Sequence, residues 1–246
     1  MKRFILLLLV LPFTVACASA GEMVTYQVDA QDYEGYYTSP AKDAPFVLLI
    51  HDWDGLDAYE IKRSDMLAEL GYAVFALDMF GKGVDASSVE KRRELTGALY
   101  ADRPRMRKLM NAAMETAKSK GANTDNAVAM GYCFGGTCTL ELARSGAKLK
   151  GFAPFHGGLE TPEGQDYNNT KGKIMVFHGT ADSNITMDHF AALAKELEQT
   201  GVDHEMITYG RAPHAFTVFG SDRYRKEADE NSWERFTRFL EDNLKK

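Results

Sequence analysis

Gly131-Tyr132-Cys133-Phe134-Gly135 sets a thiol between two glycines, just after an apolar run and just before a helical one. A strand that turns sharply into a helix needs small neighbours so that the two segments can approach, and the turn holds its central side chain out under strain. The helix beyond it points its positive end back at that side chain, which favours both a thiolate and a developing oxyanion. Three roles fit a cysteine there: a nucleophile, a redox centre, or a small buried filler.

A nucleophile of this kind requires a base, and the base requires an orienting carboxylate. Two downstream segments offer them. His178-Gly179-Thr180-Ala181-Asp182 follows the apolar run Ile174 to Phe177, and Ala212-Pro213-His214-Ala215-Phe216 follows the run Asp203 to Tyr209. Both loops then leave the carboxyl ends of strands, on the edge that carries Cys133, in the chain order nucleophile, acid, base that α/β-hydrolases show. Asp78 ends another apolar run and competes with Asp182 for the acid's place, although fixing a turn suits it equally.

The elements that must position these residues follow from periodicity. Phe46 to Ile50, Ala73 to Leu77, Val128 to Met130, Gly151 to Phe155, Ile174 to Phe177 and Asp203 to Tyr209 read as strands; Met23 to Val28 and Tyr36-Tyr37 read as extended. Tyr59 to Leu70, Ser87 to Leu99, Pro104 to Lys120, Gly135 to Arg144, Met187 to Gln199 and Arg223 to Leu244 read as helices. Strands apolar on both faces and separated by helices imply a mostly parallel sheet between two helical layers. The expected fold class is α/β.

With 246 residues, 45% apolar and 26% charged, the chain has the composition of a globular protein, and residues 21–246 are expected to form one domain. A net charge of −6 and a pI near 5.6 offer no basic face for a phosphate backbone, so nucleic acid is not an expected partner. Residues 1–20 differ: Lys2 and Arg3 precede the apolar run Phe4 to Val15, and Ala18-Ser19-Ala20 follows. That is the pattern of a secretory signal peptide cleaved after Ala20, which implies export to the periplasm of a bacterium and no stable membrane insertion afterwards. Cys17 supports a rival reading as a lipid-anchored cysteine. Cys133 and Cys138, five residues apart on a turn and a helix, are not expected to form a disulfide.

On these motifs the chain beyond the leader resembles the dienelactone hydrolase family, cysteine-using members of the α/β-hydrolase fold. Gly131-Tyr132-Cys133-Phe134-Gly135-Gly136, His178-Gly179 through Asp182, and His214-Ala215-Phe216 match its triad motifs, and Leu77-Asp78-Met79-Phe80-Gly81 resembles its strand-end turn. The resemblance implies an α/β-hydrolase fold and cofactor-free, metal-free hydrolysis of a small lactone or carboxylic ester through an acyl-cysteine. Cys133 would be the nucleophile, His214 the base and Asp182 its orienter. His51-Asp52-Trp53-Asp54-Gly55-Leu56 resembles the family's stretch after the first core strand. By that likeness Asp52 is the carboxylate that gates the thiol, and the amides of Trp53 and Phe134 bind the oxyanion. Members acting on dienelactone place an arginine four residues after the base, where this chain has Val218; Arg211 is the candidate substitute, with Arg103 and Arg105 beside it.

Plainer roles stand next to these. A thiol-based redox protein using Cys133, or a binding protein that keeps the fold without turnover, are the alternatives of other classes. Cys138 reads as core packing, His51, His156 and His178 as structural imidazoles at strand ends, and His189 and His204 as surface residues. A zinc site drawn from His51, Asp52, Asp54 and His156 matches no metal-binding spacing. Asp52-x-Asp54-Gly55-x-Asp57 reads as a hydrated turn rather than a calcium loop, and Tyr33, Tyr36 and Tyr37 as an edge strand rather than the mouth of a site.

Overall fold

A computed structural model of the protein describes residues 21–245. The expected leader, its cleavage point after Ala20, and Cys17 lie outside the described residues. Within them, eight strands and six helices alternate. The strands are β1 (Glu22–Val28), β2 (Gln31–Thr38), β3 (Pro45–Ile50), β4 (Ala73–Leu77), β5 (Asn123–Tyr132), β6 (Gly151–Phe155), β7 (Lys173–Gly179) and β8 (His204–Tyr209). The helices are α1 (Ala58–Glu69), α2 (Val89–Ala101), α3 (Arg103–Ser119), α4 (Phe134–Arg144), α5 (Met187–Thr200) and α6 (Lys226–Leu244). One sheet takes all eight strands in the order β1-β2-β4-β3-β5-β6-β7-β8. β3 to β8 run parallel to their neighbours, and the β1–β2 hairpin adds an antiparallel edge against β4.

Alternate strand residues serve opposite layers, as a pleated strand requires. Phe46, Leu48 and Ile50 of β3 join one apolar core with Met106, Leu109 and Met110 of α3 and with Leu193 and Leu197 of α5. Val47 and Leu49 join a second core with Leu67 of α1 and with Phe236, Phe239 and Leu240 of α6. Burial on both faces is why these strands read as continuous apolar runs. Strand order reverses at β3, whose neighbours are β4 and β5, and that switch opens a crevice beyond the carboxyl ends of β3 and β5. Asp52 and Trp53 follow β3, and Cys133 follows β5.

The carboxylates between β3 and α1 belong to the turn itself. Asp57 caps α1 by accepting from Tyr59 N–H, while Glu60 reaches back to Asp57 N–H to complete a capping box. Asp78 also fixes a turn, accepting from the Phe80 and Gly81 amides at 2.8 and 2.9 Å and from Glu34 N–H at 3.3 Å. That occupies it as a structural group and removes it from competition with Asp182. Tyr33, Tyr36 and Tyr37 are buried along β2, in keeping with an edge strand that packs on its neighbours.

Candidate active site

Cys133 stands between β5 and α4 with φ 51 and ψ −111, backbone angles a side chain adopts only when its surroundings hold it there. The flanking glycines make the turn possible. A Cβ at Gly131 would lie 2.2 Å from Gly135 O, and one at Gly135 would lie 2.2 Å from Ile50 O, so strand, turn and helix meet backbone to backbone. Cys133 retains partial exposure, whereas Cys138 is fully buried; both are free thiols.

Two loops bring the acid and the base to the sulfur. Ala181 N–H donates to Ala212 O at 3.0 Å, tying the loop after β7 to the loop after β8. Asp182 Oδ1 accepts from the Asn184 and Ile185 amides, each at 2.9 Å, and its Oδ2 lies 2.7 Å from His214 Nδ1. Burial pushes the Asp182 carboxyl up, but the hydrogen bonds from His214 and from Ile185 N–H outweigh burial and hold it below its ordinary value. An ionised carboxylate only accepts, so Nδ1 carries the imidazole proton and Nε2 is left with a lone pair. His214 Nε2 lies 3.0 Å from Cys133 Sγ, where it accepts from the thiol.

The surroundings of the thiol favour its protonated form. Burial chiefly, and then the nearby Asp52 charge, push its pKa up, while Phe134 N–H, aimed at the sulfur, pulls the other way. Asp52 makes no hydrogen bond to Cys133; its Oδ1 accepts from Asp54 N–H at 3.2 Å. The expected gating carboxylate is therefore not hydrogen-bonded to the sulfur; its charge is one of the causes that raise the thiol's pKa. Burial first, and then the facing Asp54, raise Asp52 itself to about 8. Trp53 N–H has no protein acceptor among the described residues, and its indole stacks with Arg92, 5.4 Å from ring centroid to guanidinium. At the head of α4, Phe134 N–H is likewise outside the helical ladder.

A thiol, an imidazole and a carboxylate thus stand in one hydrogen-bonded line at the start of α4. The dienelactone hydrolase family model matches residues 33–244. The chain belongs to the dienelactone hydrolase family. A relative from Aquifex aeolicus, described as "Putative carboxymethylenebutenolidase", is 26% identical over 234 residues, which span 92% of this chain and 100% of that one. A solved dienelactone hydrolase-like promiscuous phosphotriesterase from metagenomic libraries superposes with a TM-score of 0.84 at 27% identity, covering 91% of this chain and 98% of the other. A second solved structure, named m3DLH, gives a TM-score of 0.83 at 30% identity over the same shares. The fold is thereby the α/β-hydrolase fold, and membership of this family makes the protein a hydrolase of ester or lactone bonds.

A cavity of about 510 Å³ lies over the first turn of α4, lined by Tyr100, Arg103, Thr137, Gly158, Pro162 and Ile185 among others. Thr137 is one helical turn past Cys133, and the Tyr100 ring packs 5.6 Å from that of Phe134. Of the three candidate arginines only Arg103 lines it. Arg105 is spent on Gln31 and Tyr33, at 2.9 and 2.7 Å. Arg211, at φ 59, is exposed and lines a separate depression with Tyr209, Arg225 and Asn231. Neither Cys133 nor His214 lines that depression.

His51, one of the residues weighed for zinc, has partners for both ring nitrogens. His51 Nδ1 donates to Asp52 O at 2.5 Å and its Nε2 accepts from Met79 N–H at 3.1 Å. Among the described residues no group of three or more His, Cys, Asp or Glu side chains could hold a metal ion. His178 is buried and stacks on Phe190; His189 and His204 are partly exposed near Glu160 and Glu198. Tyr100, Thr137, Glu60 and Thr217 surround the site without a sequence signal to mark them, since each is an ordinary helix or loop residue until the chain is folded.

Proposed function

We propose that the protein hydrolyses a small lactone or carboxylic ester through an acyl-cysteine on Cys133. The observation that carries the reading is the unbroken line from Cys133 Sγ to His214 Nε2, 3.0 Å, and from His214 Nδ1 to Asp182 Oδ2, 2.7 Å. On attack, His214 takes the thiol proton as sulfur bonds to the acyl carbon, and Asp182 holds the resulting imidazolium in its orientation. The carbonyl oxygen gains the negative charge, which the amides of Phe134 and Trp53 are placed to receive; one such donor is worth about 3 kcal/mol in comparable sites. The C–O bond then breaks, and the departing alkoxide takes the proton from His214. Water attacks the thioester with His214 again as base, releasing the acid and restoring the thiol.

Sulfur suits this sequence because a thiolate is intrinsically nucleophilic and leaves readily from the acyl group. Its raised resting pKa is consistent with generating the thiolate only as the proton passes to His214, which limits oxidation in an oxidising compartment. Export, with cleavage after Ala20, belongs to the same reading and rests on the leader pattern of residues 1–20. Thiol redox cycling would require a second thiol within reach; the other cysteine among the described residues, Cys138, is buried in the core. Turnover of p-nitrophenyl acetate and a small panel of lactones tests the reading. Wild type is expected to hydrolyse at least one of them, Cys133→Ala and His214→Ala to fall to background, and Asp182→Asn to lose about 10⁴-fold in kcat. Wild-type turnover in Cys133→Ala would overturn it.

A further inference from the structure

Behind the line of sulfur, imidazole and carboxylate lies a second, fully buried imidazole. β5 and β6 pair in register up to Tyr132 opposite Phe155, so the next residues, Cys133 and His156, leave the sheet side by side. Both adopt left-handed angles, φ 51 and φ 40, and neither is glycine. Strain at adjacent positions persists only where the surroundings over-determine it, and the His156 side chain is part of those surroundings.

Cys133 N–H donates to Phe155 O at 3.0 Å and also to His156 Nδ1 at 3.2 Å. Because Nδ1 accepts from an amide, the ring proton sits on Nε2, which donates to Thr217 Oγ1 at 2.8 Å. Thr217 is three residues past His214, in the same loop. The His156 ring also meets the His214 ring at 5.3 Å, edge to face, and Phe216 at 5.5 Å. Burial, and then the facing His214, hold the His156 pKa well below its ordinary value, so the ring stays neutral when His214 takes a proton.

The far end of the bridge is anchored to the opposite layer. Tyr59 O–H of α1 donates to Thr217 Oγ1 at 2.7 Å, and Arg63 Nη2 donates to Thr217 O at 3.1 Å. Arg63 itself is paired with Asp229 of α6, both buried. One imidazole thus joins the backbone of the nucleophile turn to the loop of the base, and α1 and α6 hold that loop in place.

We propose that His156 is a positioning residue for hydrolysis: it bridges Cys133 N–H and Thr217 Oγ1 and thereby sets the separation of Cys133 Sγ from His214 Nε2. The inference rests on the roles given to Cys133 and His214 above. A structural imidazole would also satisfy both ring nitrogens; a positioning role differs in that loss of the bridge slows acylation at Cys133.

Single-turnover release of p-nitrophenol from p-nitrophenyl acetate, with enzyme saturating, separates the two, because its rate constant does not depend on the fraction of protein folded. Thr217→Val, which exchanges a hydroxyl for a methyl, and His156→Phe, which keeps a ring but neither bond, are expected to slow acylation about tenfold. The enzyme concentration giving half the maximal single-turnover rate should stay within about twofold of wild type, and Thr217→Ser, which restores Oγ, should recover most of the acylation rate. A wild-type rate in Thr217→Val, or a Thr217→Ser rate as slow as that of Thr217→Val, would overturn the bridge. Release that persists in Cys133→Ala would instead take down the functional reading, and this inference with it.

Discussion

At the scale of single residues, the site is a set of proton positions fixed by neighbours. Hydrogen bonds hold the Asp182 carboxyl below its ordinary pKa, His214 Nε2 faces the thiol, and burial pushes the Cys133 thiol up. Asp52 adds a charge that appears only at high pH, its carboxyl raised from 3.8 to about 8. A carboxyl whose folded pKa lies above its unfolded value binds its proton more tightly when folded. Its stabilising contribution is therefore full below about pH 4 and is lost as pH rises through about 8. Asp52→Asn cannot ionise, so its melting midpoint should gain on wild type progressively between about pH 4 and about pH 8. The same variant should be alkylated at Cys133 by iodoacetamide faster than wild type above about pH 8, and equally below about pH 7. A constant melting difference and equal alkylation throughout would remove Asp52 from the thiol's control. The sequence makes Cys133, Asp182 and His214 visible because each sits in a short motif at a strand end. Arg211 shows the limit of that signal: nearness along the chain places it just before the base, yet it lines a depression that neither Cys133 nor His214 lines.

At the scale of elements, the strand-to-helix turns do the positioning, and their tolerances are set by backbone contact. The Cβ that Gly135→Ala would add meets Ile50 O at 2.2 Å, and neither β3 nor α4 can yield without moving the sheet. That variant is expected to lose about 3 kcal/mol or more of stability, read as the shift in a urea unfolding midpoint, along with its esterase activity. An unchanged midpoint would mean that the helix can shift freely at the turn. Most elements were legible from periodicity, and their ends were not. Val128 to Met130 reads as a strand of three residues, but β5 runs from Asn123 to Tyr132, because the polar Asn123 to Asn126 segment extends the strand past a register shift at Pro45 and Phe46. α6 starts at Lys226 rather than Arg223, since a turn closed by Tyr224 N–H on Ser221 O at 3.1 Å precedes it and Arg225 N–H donates to Phe216 O at 2.9 Å.

At the scale of the whole molecule, three loops distant in sequence meet because a parallel sheet delivers its strand ends to one edge, and the order reversal at β3 leaves room there. Alternation of strands and helices makes the layers and that edge legible in the sequence. The place of the β1–β2 hairpin beside β4, and the buried chain from His156 through Thr217 to Arg63 and Asp229, depend on pairings between distant segments that no local pattern records. The central claim concerns one covalent bond, and mass spectrometry of protein quenched in acid during p-nitrophenyl acetate turnover reads it directly. An acetyl group on the peptide that carries Cys133, absent from Cys133→Ala, is the predicted result. Continued ester hydrolysis by Cys133→Ala, with no acyl group on the wild-type thiol at any time during turnover, would contradict the account.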